Sequence, residues 1–157
     1  MAFGNTVLAE NKDLPAGEVI KASPHNVSAF EVFEDGLIEG RFVKYDTGSI
    51  DNLDSSATPT IAGIARRKPT GEIGTGIYST SGQEIDQVAE VINFGFATVT
   101  VTDAADPAKY DQVYVSNTDD ADRGKASEVD TLLEVPGVVF WEQKAANVWL
   151  VRINQYL

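Results

Sequence analysis

The chain has 157 residues, the length of one average domain, with 12 Lys and Arg against 24 Asp and Glu and a net charge of −12. That acidity argues against nucleic acid, which needs a basic face to neutralise phosphates, and no apolar run reaches the roughly 18 residues of a membrane span. No cysteine is present and His25 is the lone histidine, which excludes disulfides, thiolate nucleophiles, iron–sulfur clusters, zinc ribbons and His-rich metal sites.

The apolar inventory favours strands. Val and Ile number 27, Leu and Met 9, and 12 Thr add to the β-branched total. Such side chains lose rotamer freedom in helices and fit a pleated surface. With Gly and Pro scattered between short segments, the expected class is all-β, a β-sandwich or β-barrel-like single domain.

In chain order, residues 1–26 read as an extended N-terminal arm, and 27–157 as the β-rich domain. The arm lacks the basic head of a secretory signal, which points to a soluble protein made in a cytoplasm. It is rich in turn residues, with one short strand over 18–22. Phe3, Val7 and Leu8 have no apolar partner inside it and are expected to be buried against a neighbouring chain. His25, between Pro24 and Asn26, reads as an exposed or capping residue rather than a general base. The sequon at Asn26 reads as chance. Ser28 to Glu31 has capping-box spacing and predicts one or two helical turns over 30–35. A strand is expected over 40–45, a polar loop over 46–59 and a strand over 60–65. Arg66, Arg67 and Lys68 form the basic cluster, either a solubilising strand end or a docking point for an acidic partner.

Gly74 and Gly76 fail the dinucleotide fingerprint at its third glycine. A second capping box at 81–84 precedes Ile85, Val88, Ala89 and Ile92 at helical spacing. Strand is nonetheless favoured over 86–93, because the segment runs straight into the clearest strand, 94–102. There Phe94, Phe96, Thr98 and Thr100 share one face, and Gly95, Ala97, Val99 and Val101 the other. Both faces are partly apolar, as in the middle of a sheet. A strand follows over 112–116, then a loop over 117–123. Asp119, Asp120 and Asp122 in that loop break the calcium-loop pattern and read as a solvated tip. Strands at 138–141 and 148–154, joined by the polar 142–147, form a closing hairpin. No triad, P-loop or metal motif accompanies any of this, so no catalytic residue, cofactor or metal ligand is assigned.

The order of these segments resembles the capsid cement, or head-decoration, proteins of tailed bacteriophages. It is carried by residues 36–43 (GLIEGRFV), 61–65 (IAGIA), Tyr78 with Gly82, 94–101 (FGFATVTV), 111–115 (DQVYV) with Gly124, and 135–141 (VPGVVFW) with 148–153. Asp111 stands where the family usually has Gly. The resemblance implies a structural virion protein on the outer surface of an icosahedral head, assembled in the host cytoplasm. It also implies contact with the major capsid protein and a homo-oligomer, either a trimer at threefold or a dimer at twofold positions. The alternative is a carbohydrate- or receptor-binding β-module of a tail or cell surface. Trp141, Trp149 and Tyr114 would be its platform, although their strand positions favour core packing.

Overall fold

The computed structural model describes residues 14–20, 23–32, 37–55, 58–66, 88–118 and 120–154. Among them are nine strands and no helix: β1 (Asn26–Glu31), β2 (Phe42–Asp46), β3 (Ser49–Asn52), β4 (Ile61–Ala65), β5 (Val88–Thr100), β6 (Gln112–Val115), β7 (Ala126–Ser127), β8 (Leu133–Ala145) and β9 (Val148–Ile153). The expected all-β class is what the chain adopts. The strands follow the order β3-β2-β4-β5-β9-β8-β6-β7, with β1 also on β5, and every strand pairing is antiparallel.

The 13-residue β5 organises everything. Its first half pairs with β1 and β4, and its second half with β9. Each half anchors a curled lobe. One lobe curls until Val32 bridges Ile50, the other until Val101 bridges Ala126. Ala89 and Val91 point into a smaller core with Val32, Leu37, Val43 and Ile50. Ile92, Ala97 and Val99 point into the larger core with Phe42, Phe140 and Val151. In a regular strand, residues on one face share the same parity. Here the face meeting the larger core changes from even (Ile92) to odd (Ala97), so the strand must break its period between them. The break lies at a register shift in the β1 pairing and at Gly95, whose φ is +98°. A Cβ at Gly95 would lie 2.5 Å from the Pro24 carbonyl oxygen, so only glycine fits.

Three sequence expectations need correction. The helix over 30–35 is replaced up to Glu31 by β1, where the Ser28 hydroxyl accepts from Asn26 of its own strand (3.1 Å) and from Asn93 of the neighbouring β5 (3.3 Å) instead of capping a helix. The loop over 46–59 contains β3, where Asp51 and Asn52 are buried beside the buried Lys44 of β2. Their polarity hid a strand whose charges are paired: Lys44 Nζ donates to Asp54 Oδ2 at 2.5 Å. Burial disfavours the Lys44 ammonium, but the bond to Asp54 and the nearby Asp51 and Asp46 outweigh it and hold its pKa above the usual lysine value. A raised lysine pKa stabilises the fold below the ordinary lysine range, and that contribution is lost as pH rises through the raised value. The hairpin turn is not 142–147 but the two residues 146–147, with Asn147 at φ 57°, a left-handed position that Asn tolerates. Residues 14–20 of the expected arm are tied to the body. They lie along β5, with Val19 paired to Ala97 and with Val19 and Ile20 buried. The second capping box and most of 66–87 lie outside the described residues.

Candidate docking surface

The residues worth most notice sit on the outer side of the larger lobe. Phe96 of β5, Arg152 of β9 and Trp141 of β8 share this face. Phe96 pairs with Arg152 in register. Trp141 arrives there through a bulge: Phe140 pairs with Val151 and Glu142 with Leu150, which leaves Trp141 as the extra residue. Phe140 therefore enters the core while its neighbour faces outward. The loop between β5 and β6 supplies Lys109 and Tyr110. It is tied to β8 because Tyr110 N–H donates to the Phe140 carbonyl (2.8 Å) and Phe140 N–H to that of Asp111 (2.9 Å).

Trp141 meets the rings of Phe96 and Tyr110 edge-on, with centroids 5.2 and 5.4 Å away. The Lys109 ammonium lies 4.2 Å from the Trp141 centroid and the Arg152 guanidinium 5.9 Å. Each such aromatic pair adds about 0.5–1.5 kcal/mol beyond area burial, and each exposed cation–π contact about 0.5–1 kcal/mol. Tyr110 is 63% exposed and has φ +78°. A bulky residue in that region costs about 1–3 kcal/mol and persists only where the surroundings impose it. Beside Arg152 lies a pocket of about 140 Å³, lined by Pro24, Phe94, Phe96 and Ile153 among others.

The sequence-derived candidates do not gather here. Arg66 sits at the end of β4 and ion-pairs with Glu90, so its charge is answered within the chain. Arg67, Lys68, Phe3, Val7 and Leu8 lie outside the described residues. His25 is exposed, and its Nδ1 donates to the Ser23 carbonyl at 2.9 Å. Of the three aromatic candidates, Trp149 packs edge-on to Phe140 against the larger core and Tyr114 is half-buried in β6. Trp141 alone of them joins the outer patch. Its other members, Phe96, Lys109, Tyr110 and Arg152, were missed. The available signal was Phe96 on the same strand face as two threonines.

The acidic loop is bound up internally. Asp120 Oδ1 accepts from the Thr118 hydroxyl (2.6 Å) and the Asp122 amide (2.9 Å), and these bonds hold its carboxyl below the usual aspartate range. Asp122 takes Lys125 Nζ at 2.7 Å. Among the described residues, no group of three or more His, Asp or Glu is placed to hold a metal. Arg41 ties this loop to β2, donating from one nitrogen to the carbonyls of Ala121 and Arg123, both at 2.9 Å. Burial lowers its pKa from the ordinary arginine value, an effect opposed by Asp122. Arg41→Ala is expected to cost about 1.5–3 kcal/mol, the worth of charge-assisted bonds. Hydrogen exchange should show faster amides at 120–125, and a thermal melt the loss of stability.

Comparison with known proteins gives this surface its setting. The family model described as XM1 gp53 minor capsid protein matches residues 5–154. A chain in the solved structure "The capsid of Myoviridae Phage XM1" is 74% identical, with 100% of both chains covered and a TM-score of 0.87. No curated protein matches the chain. A match over nearly the whole length, with the same fold in a phage capsid, is what the resemblance in the strand motifs anticipated. The chain belongs to the XM1 gp53 minor capsid protein family and is a structural protein of a phage virion.

Proposed function

We propose that this minor capsid protein binds the outer surface of an assembled phage head and stabilises the shell, through contacts with the major capsid protein and with further copies of itself, and that it catalyses no reaction. The observation that carries this reading is the full-length match to a chain found in a solved phage capsid. A protein that binds only the assembled shell stabilises it by mass action, because it favours the state it binds.

The experiment is to mix purified protein with undecorated shells and image the particles. Ordered density outside the shell and a raised shell-disruption temperature are expected; bare shells at every stoichiometry would remove the reading. The arm is tested separately. Deleting 1–26 would strip Val19 and Ile20 from the core, so the informative cut is after residue 13. Loss of 1–13, with Phe3, Val7 and Leu8, should leave the melting temperature unchanged and weaken shell binding at least about tenfold, or ~1.4 kcal/mol. Full binding by that truncation would show the segment to be dispensable.

A further inference from the structure

We infer that the Trp141 patch is a docking surface for a second copy of this chain, which presents its segment Glu128, Val129 and Asp130. This interface rests on the self-association included in the reading above and assigns its two faces.

The first observation is charge. Identical bodies of net charge −12 repel one another unless a cationic spot on one meets an acidic spot on the next. Lys109 and Arg152 are exposed, and among the described residues neither ion-pairs with a carboxylate. Ring faces hold these cations in place without neutralising them.

The second observation is the complement. Val88, Tyr110 and Val129 are the large apolar side chains exposed among the described residues. Tyr110 belongs to the cationic patch. Val129, 43% exposed, lies between two acids in the turn from β7 to β8. Glu128 is fixed by accepting from the Asp106 amide at 3.1 Å, which sets the segment firmly on the body. An apolar tip flanked by carboxylates is what an aromatic patch flanked by two cations would take.

The third observation is shape. The pocket beside Arg152, about 140 Å³, is close to the roughly 150 Å³ of an engineered cavity that holds benzene, so a valine side chain fits. The strained Tyr110 keeps an exposed ring at the rim, and strain of that kind gathers at binding surfaces. A sugar is the poorer occupant, since Lys109 stands over the Trp141 ring.

The test uses the full chain in sedimentation velocity and on shells. Wild type should self-associate, and added salt should weaken it. Lys109→Glu with Arg152→Glu should weaken self-association at least about tenfold. Asp130→Lys with Thr131→Lys should do the same while keeping Val129 for the pocket and Glu128 with its hydrogen bond. All four changes in one chain should restore association, because both faces are then reversed; circular dichroism melts check that each variant is folded. Wild type that stays monomeric at every concentration overturns the assignment, as does a four-fold variant no better than the pairs. So do first-pair variants that lose shell or glycan binding while still self-associating, since the occupant is then a different molecule. Shell binding by wild type is read independently, so failure of this interface and failure of the shell-binding reading are distinguishable.

Discussion

Gly63→Val is expected to lower the melting temperature by roughly 5–20 °C. Gly63 is buried in β4 at φ +141°, where a Cβ would lie 2.3 Å from the Ile92 carbonyl oxygen and 2.7 Å from Val91 Cγ1. The first of these is backbone of β5, the strand shared by both lobes, and cannot step aside. Strain in a left-handed region costs about 1–3 kcal/mol, and forcing atoms into a packed core about 1–3 kcal/mol more. At a few degrees per kcal/mol for a chain of this size, that gives the stated range. Gly48→Val is the control. Gly48 has φ +94° but open space around it, so it should show the strain without the clash. Equal losses at the two positions would mean that close approach to β5 does not matter.

Phe140→Ala should cost about 3–5 kcal/mol in a denaturant titration, a large part of the 5–15 kcal/mol that holds a domain together. Phe140 is fully buried, edge-on to Trp149 at 5.6 Å, and in the same core as residues from both halves of β5. Trp141→Ala, one residue on, should cost clearly less, because that ring lies outside and loses contacts rather than leaving a cavity. If the two losses matched, the bulge that sends the neighbours to opposite faces would be in the wrong place.

How far the sequence could be read depended on the range of the forces involved. Alternation in 94–102 and 112–116 is local, and both strands lie where the pattern puts them. The preference for strand before Phe94 also holds, from Val88 onward. The change of parity at Gly95 was not legible, since it depends on Pro24 and His25 lying against that glycine. β3 was hidden because Asp51 and Asn52 look like loop residues until Lys44, paired with Asp51 across the ladder and bonded to Asp54, is placed beside them. The docking patch was still less accessible. Phe96 and Trp141 lie far apart in sequence, and their meeting depends on the bulge in β8. The family was legible for a different reason: several weak strand motifs in a fixed order constrain identity more than any one of them.

The pairing of residues 14–20 with β5 has a mechanical consequence. Gly17 N–H donates to the Thr98 carbonyl, Thr98 N–H to that of Glu18 and Ile20 N–H to that of Phe96, while the Thr98 hydroxyl donates to the Pro15 carbonyl. A pull on the N-terminal end, directed along the segment, loads these bonds together in shear instead of peeling them open one by one. Tension entering there passes straight into β5, the strand that both lobes share, so a tether leaving residue 14 would load the two lobes at once.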